Sequence, residues 1–228
     1  MAKSQPHLRV LSIGCSCINR FQFNFFLERH PEYTAVFPRG LFDWNIASLD
    51  ATLTVLRLIA DRRLEDVFED DARFHVAWDA LILHRDLPGL SFYHEETPHD
   101  LLADQDRRSA FISKLNHLSR PFVAPDPNTQ TLLVWSNLQP NLPDTVENVI
   151  PWEEFILNEA RYDETLSLGR RIFGQDTDFL FLTTPQDTEL SPEVCPDMRI
   201  VDLPRGDTFQ GDPRLYEDIL TKVVRNTN

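Results

Sequence analysis

The stretch LSIGCSCINRF, residues Leu11–Phe21, joins an apolar run to a helical pattern through a single glycine. The segment LRVLSI is short, apolar and bounded by a turn residue, which predicts a buried strand. Gly14 ends that strand, and the phenylalanines that follow recur with helical spacing until Pro31 stops the pattern. The sequence therefore predicts a strand, a turn at residues 14–17 and a helix.

The rest of the chain repeats this alternation of apolar runs and helical patterns. Further strands are predicted at 131–136, 178–184 and 198–204, and helices at 48–60, 104–118, 158–173 and 213–225. FHVAWDALIL (74–83) and LSFYH (90–94) predict a strand or a hairpin around the turn DLPG. Buried strands that alternate with helices favour a mainly parallel sheet covered on both faces. We predict one α/β domain over residues 1–228, a three-layer α/β/α fold of flavodoxin-like type.

Composition excludes several classes of function. The 228 residues carry a net charge of -14, whereas nucleic-acid binding needs a Lys/Arg surface. The chain shows neither a signal peptide nor an apolar run of membrane-spanning length. Its three cysteines are an odd number, and two lie too close in sequence to favour a disulfide. We expect a soluble cytoplasmic protein that binds neither nucleic acid nor membrane.

Common cofactor and metal motifs are missing from the sequence. It contains no G-x-G-x-x-G, no phosphate-binding G-x-x-x-x-G-K-[ST] and no H-E-x-x-H, and its C-x-C pair has no second Cys/His pair. We therefore expect no cofactor and no metal. The expected ligand is a small-molecule, glycan or peptide substrate.

A parallel sheet of this kind binds ligands outside the carboxyl ends of its strands. That edge would bring together the loops at 14–17, 136–141, 183–186 and 204–210. We expect the functional site where these four loops meet.

Cys17 and Ser16 are the candidate nucleophiles, because they stand where a strand ends and a helix begins. Backbone N–H groups at that point are unpaired, and the helix dipole lowers a thiol pKa and stabilises an oxyanion. The amides that follow Gly14 are candidate oxyanion donors. Alternatively, these are small core residues that a tight turn requires for steric reasons.

A thiol or hydroxyl nucleophile needs a general base. His94 follows an aromatic pair and precedes acidic residues, an environment that buries one ring edge and supports the imidazole charge. His99 is its rival five residues on. The further candidates are His75, His84 and His117.

Two loops supply polar groups that would face the nucleophile. VWSNLQPN places Asn137, Gln139 and Asn141 after a central strand, where carboxamides donate to a developing oxyanion or simply close a turn. Near the end of the chain, RGDTFQGDP places Asp207 three residues before Gln210. We selected Asn137, Asp207 and Gln210 as binding residues.

The ordered segments LSIGCSC, FPRGLFDW, LSFYHEE, RRSAFISKL and TLLVWSN resemble a bacterial domain family of unknown function that is classed with papain-like cysteine peptidases. The likeness covers roughly residues 8–140. It implies a catalytic cysteine at Cys17, a histidine at His94 and, within the F-D-W motif, Asp43, which we take as the residue that orients the base. Glu95 and Leu41 replace the Asp and Pro usual in this family.

VLSIGCS, WSN and DTFQGDP also resemble the conserved blocks of SGNH/GDSL-type esterases. That likeness implies Ser16 as nucleophile and puts Gln210 in place of the catalytic histidine, a role that a carboxamide cannot fill. Three hypotheses follow. The first is an acyl-transfer enzyme of hydrolase type; the second is a non-catalytic SGNH-like binding module. The third, a polysaccharide O-acetyltransferase that uses an acyl-CoA donor, would need basic groups such as Arg20 and Arg39.

Overall fold

The structure, a computed structural model, describes residues 7–201 and 210–225. Within these ranges the strands, numbered in chain order, are β1 His7–Ser12, β2 Ile46–Ala47, β3 Phe74–Ala77, β4 Leu81–His84, β5 Leu90–Phe92, β6 Thr129–Ser136, β7 Asp178–Thr183 and β8 Met198–Ile200. The α-helices are α1 Ile18–Arg29, α2 Leu49–Ala60, α3 Leu64–Glu69, α4 Pro98–Ala103, α5 Gln105–Val123, α6 Leu142–Val146, α7 Glu159–Phe173 and α8 Glu217–Arg225.

A four-stranded parallel sheet forms the centre of the molecule, with the strand order β1-β6-β7-β8. Because side chains alternate along each strand, neighbouring residues enter different cores. Val134 packs with apolar residues of α1 and α8. Trp135, one residue later, packs with residues of α2, α5 and α7 on the opposite face. The predicted three-layer α/β/α architecture with a mainly parallel sheet is confirmed.

A second sheet is antiparallel, with the order β2-β5-β4-β3. The hairpin predicted around the turn DLPG corresponds to the antiparallel pair β4–β5. The sequence did not separate β3 from β4 or predict β2, since strands of two to four residues are too short to show a periodicity. An isolated bridge between Cys15 and Ala47 joins this sheet to the end of β1. The loop that follows β5 is thereby brought to the carboxyl edge of the parallel sheet.

Two helix boundaries differ from the predicted ones. Helix α5 continues through Pro121 to Val123, although proline cannot donate the helical hydrogen bond to the residue four positions earlier, because Phe122 is buried against the core. Helix α8 begins at Glu217 rather than at 213. Before it, Asp212 Oδ1 accepts a hydrogen bond from Arg214 N at 2.7 Å, which stabilises a turn instead.

The described ranges contain no membrane-spanning helix and no cluster of metal-binding side chains. None of the helices found there combines the length and the apolarity that crossing a bilayer requires. No group of three or more His, Cys, Asp or Glu side chains in these ranges is arranged to hold a metal ion.

Candidate functional site

The turn between β1 and α1 has a backbone that only glycine suits. Gly14 has a φ of +109°, and a Cβ added there would lie 2.9 Å from Thr52 Oγ1. On either side of the turn, Cys15 N donates to Ser136 O at 3.0 Å, and Ala47 N donates to Cys15 O at 2.7 Å. The turn is therefore held between the parallel sheet and the antiparallel sheet.

A buried polar network lies under this turn and is centred on Asn19. Its Nδ2 donates to Gly14 O at 2.8 Å and to Ser12 Oγ at 3.0 Å. Its Oδ1 accepts from Ser136 Oγ and from Tyr216 OH, both at 2.8 Å. Tyr216 OH also lies 2.7 Å from Ser136 Oγ, so the two hydroxyls are in hydrogen-bond contact, and burial raises the pKa of the phenol. The network ties the turn to β6 and to the segment before α8.

The three adjacent nucleophile candidates have different surroundings. Cys15 is fully buried and its thiol donates to Ser136 O at 2.7 Å. Ser16 is also fully buried, and its Oγ accepts from Ile18 N at 3.4 Å. Cys17, which precedes α1 as its N-cap, lines a cavity of about 230 Å³. Ser16, the alternative nucleophile, is not among the described residues that line this cavity, whereas Cys17 is.

Side chains from four parts of the chain line the Cys17 cavity: Cys17, Ile46, Tyr93, His94, Gln139, Asn141 and Thr145. The Cys17 thiol donates to Gln139 Oε1 at 3.8 Å, a long contact to sulfur. Gln139 Nε2 in turn donates to Asn141 Oδ1 at 3.0 Å. The sequence pattern placed both carboxamides in this loop, but it did not distinguish them from Asn137.

The protonation state of Cys17 is the reverse of the one expected at a helix N-terminus. Burial raises the pKa of the Cys17 thiol to about 11. The helix dipole favours a thiolate, but removing the charge from water costs more than the dipole returns. Cys17 is consequently a neutral thiol at pH 7.

His94, the predicted base, also lines this cavity. Its ring meets the edges of Trp44 and Tyr93, each at 5.8 Å between centroids. Burial against these rings lowers the pKa of His94, and Glu95 partly opposes this effect. No hydrogen bond to Cys17 is formed by His94 in the structure as described.

The other histidines considered as bases lie elsewhere. His84 Nε2 is 3.1 Å from Val67 O, and His99 Nε2 is 2.8 Å from Asp79 Oδ1. His75 and His117 are not among the residues that line the Cys17 cavity. Of the described histidines, His94 alone shares that cavity with Cys17.

Asp43 does not orient His94, which corrects the role that the family resemblance implied. Its Oδ2 accepts from Gly40 N at 2.8 Å and lies 3.7 Å from Arg20 Nη1. Burial raises the pKa of Asp43 to about 6, although Arg20 opposes the shift. The carboxylate shapes the short 3-10 turn Leu41–Asp43 that precedes Trp44, so its influence on His94 is indirect.

Two of the predicted binding residues, Asn137 and Gln210, are not among the described residues that line the Cys17 cavity. Asn137 is buried, and its Nδ2 donates to Phe155 O at 3.0 Å and to Asp187 O at 3.4 Å, so it holds loops together. Gln210 uses its backbone oxygen to accept from Gln22 Nε2 at 2.9 Å. Asp207 lies outside the described residues.

Donors for an oxyanion are nevertheless present near Cys17. Cys15 N, one of the amides that follow Gly14, is already bonded to Ser136 O. Of the next two amides, Ser16 N makes no backbone hydrogen bond within the described residues, and Cys17 N interacts with the Cys17 thiol itself. Asn141 Nδ2 is likewise without an acceptor in the part of the chain that the structure describes. These groups take the place that the prediction gave to Asn137.

The geometry thus joins a neutral thiol, a neutral imidazole and carboxamides in one small cavity. Comparison of the chain with family models, with curated proteins and with solved structures finds no match.

Proposed function

We propose that the chain is an acyl-transfer enzyme, a hydrolase or an acyltransferase, in which Cys17 is the nucleophile and His94 the general base. One observation carries the proposal: the Cys17 thiol and the His94 imidazole line the same cavity of about 230 Å³. Acyl transfer requires a base that can reach the proton of the nucleophile, and a shared small cavity supports such an approach.

The pKa shifts decide how the two groups share the proton. Burial raises the pKa of Cys17 and lowers the pKa of His94, so the resting pair is a thiol and a neutral imidazole. A preformed thiolate–imidazolium pair would require both shifts in the opposite direction. His94 therefore acts as a general base, which removes the Cys17 proton as the sulfur attacks.

The steps balance without a cofactor. The Cys17 sulfur bonds to the carbonyl carbon of the substrate while the thiol proton passes to His94. The carbonyl oxygen becomes an oxyanion; its collapse breaks the bond to the leaving group, which takes the proton from His94. Water or an acceptor hydroxyl or amine then attacks the thioester, gives its proton to His94 and releases Cys17 as the thiol.

Backbone amides and a carboxamide stabilise the oxyanion in this proposal. Ser16 N and Cys17 N are adjacent amides, and Asn141 Nδ2 is a third donor on the wall of the cavity. Fixed dipoles of this kind are effective in a pocket that excludes water.

The size of the cavity limits the reacting group. A volume of about 230 Å³ is below the range of pockets that enclose a drug-sized ligand. Ile46 and Tyr93 supply its apolar wall. We propose that a short acyl group or one amino-acid side chain enters the cavity, while the remainder of a small-molecule, glycan or peptide substrate stays outside.

A non-catalytic binding module is the second candidate. It is favoured by the thiol of Cys17, which is bonded to Gln139 and not to His94. In that case the cavity would bind its ligand without converting it.

Turnover of a panel of short-chain acyl esters, acyl thioesters and peptides tests the two candidates. We expect Cys17→Ala to lower kcat/KM at least 10³-fold, roughly the loss expected when a catalytic nucleophile is removed. Cys195→Ala is the matched control, because Cys195 is also a buried free cysteine and does not line the cavity. Turnover that survives in Cys17→Ala would refute the catalytic role, and saturable binding with no turnover would favour the binding module.

A cytoplasmic location belongs to the same proposal. Cys15, Cys17 and Cys195 are all free thiols, as predicted from their odd number and spacing. Free thiols support a reducing compartment.

A further inference from the structure

A second cavity of about 500 Å³ adjoins the first, because His94 lines both. Its lining residues are Arg39, Trp44, His94, Lys114, His117 and Leu118. Arg39 precedes the turn that Asp43 shapes, and Lys114 and His117 lie one helical turn apart on α5. The two cavities together form one site with His94 between them.

The charge of this second cavity is opposite to that of the molecule. The chain has 36 Asp and Glu against 22 Lys and Arg, yet no carboxylate is among the described residues that line either cavity. Glu95 Oε1 does approach Lys114 Nζ at 2.5 Å and neutralises part of its charge. Arg39 forms no ion pair with any residue in the described ranges. A local excess of cations in an acidic protein indicates an anionic ligand.

Arg20, the other cation considered for phosphate recognition, is not available. It is buried, donates to Phe37 O at 3.2 Å and lies beside Asp43. Arg39 is exposed and lines the cavity. Of the two arginines, only Arg39 can therefore meet a ligand.

We propose that the substrate of the Cys17 site carries a phosphate group, which binds to Arg39, Lys114 and His117 in the second cavity while its acyl group enters the first. The inference rests on the proposed function. The planar fork of an arginine matches a phosphate, and a lysine adds a point charge. The cavity is much larger than one phosphate, so the adjoining part of the ligand lies there too, against the ring of Trp44.

Such a phosphate can belong to an acyl donor of the coenzyme A type or to the acylated substrate itself. Two probes separate these sources, coenzyme A and inorganic pyrophosphate. Their binding is measured by isothermal titration calorimetry with Cys17→Ala protein, in which the proposed nucleophile is absent. Coenzyme A that binds at least tenfold more tightly than pyrophosphate points to the donor, and similar affinities point to a phosphorylated substrate. Failure of both probes to bind overturns the proposal.

Charge-neutralising variants locate the binding. We expect Arg39→Gln and Lys114→Gln each to weaken the tighter probe about tenfold, the loss of one charge-assisted contact. Arg85→Gln and Lys222→Gln are matched controls, because both residues are exposed and neither lines the two cavities. Equal affinities in all four variants would overturn the proposed site.

Probe binding and turnover together distinguish a failure of the phosphate proposal from a failure of the proposed function. Phosphate binding is read without turnover, so it can hold even if Cys17→Ala leaves activity unchanged. Conversely, Cys17-dependent turnover of uncharged esters with no binding of either probe would keep the enzyme and remove the phosphate site.

Discussion

The two walls of the Cys17 cavity are built in different ways. The wall that carries Cys17 lies on the β1–α1 turn, which buried hydrogen bonds fix to β6 and to Tyr216. The wall that carries His94 follows the short strand β5, and His94 and Tyr93 are both exposed. Ring contacts with Trp44 and Tyr93 are the interactions that locate His94 there.

The two sides of the site therefore differ in rigidity. Buried, fully satisfied polar networks are rigid, whereas exposed rings on a loop are free to shift by fractions of an ångström. In the proposed function, the fold thus fixes the position of the nucleophile Cys17, whereas the base His94 depends on an exposed loop. Catalytic hydrogen bonds often form only in the substrate complex, which agrees with the unbonded Cys17 and His94.

The largest expected effect comes from replacing His94, the proposed general base. We expect His94→Asn to lower kcat/KM by about 10² to 10⁴, the range for the loss of a general base, with little change in stability. His99→Asn is the control, because His99 is exposed and pairs with Asp79. The two kcat/KM values, measured on the best ester of the panel, should differ by this factor. Equal values would exclude His94 as the base.

Asn19→Ala removes the centre of the polar network that holds the β1–α1 turn. The buried Tyr216 hydroxyl and the Gly14 carbonyl then lose their hydrogen bonds to Asn19. Both groups keep a contact to Ser136, but Asn19 makes five buried hydrogen-bond contacts, and each net hydrogen bond contributes about 1 kcal/mol. We expect the free energy of unfolding, measured in urea, to fall by about 4 kcal/mol. The exposed Asn148→Ala should change it by less than about 0.5 kcal/mol. If Asn19→Ala has an equally small effect, the turn is not held by this network.

The contribution of Asp43, which shapes the turn before Trp44, to the free energy of unfolding depends on pH. The pKa of Asp43 is about 6 in the folded state and 3.8 in its ordinary state, so between these values the folded chain binds a proton that the unfolded chain has lost. The Asp43 contribution to the free energy of unfolding therefore falls as the pH rises through this window. We expect a fall of about 2 to 3 kcal/mol in wild type relative to Asp43→Asn.

Urea unfolding at pH values from 4 to 7 measures this difference. The exposed Asp176→Asn should leave the pH dependence of wild type unchanged. A wild type and an Asp43→Asn variant with parallel pH profiles would show that Asp43 titrates normally.

The β1–α1 turn that carries Cys17 is also the part of the site that the sequence predicted best. The apolar run before Gly14 and the phenylalanine pattern after it specify β1, the turn and α1, and they place Cys17 beside the sheet edge. These are local signals, because hydrophobic periodicity and a turn residue are read within a dozen residues.

The other features of the site depend on contacts between residues that are distant in sequence, so local patterns did not predict them. Asn137 and Asn141 look alike in VWSNLQPN, but the Phe155 carbonyl engages Asn137 and leaves Asn141 at the cavity. The direction of the pKa shift of Cys17 also escaped prediction, because it depends on burial by parts of the chain beyond the turn. The basic cavity joins Arg39 to α5, a pairing that no local pattern encodes.

The rate of iodoacetamide alkylation at each cysteine, followed by peptide mass spectrometry from pH 7 to pH 10, tests the central claim most directly. Cys17 should react faster than Cys15 and Cys195, because its thiol faces the cavity. Since burial raises the pKa of Cys17 to about 11, its rate should climb about tenfold per pH unit with no plateau. Equally slow labelling of all three cysteines would contradict an accessible nucleophile, and a rate already constant at pH 7 would contradict the neutral thiol.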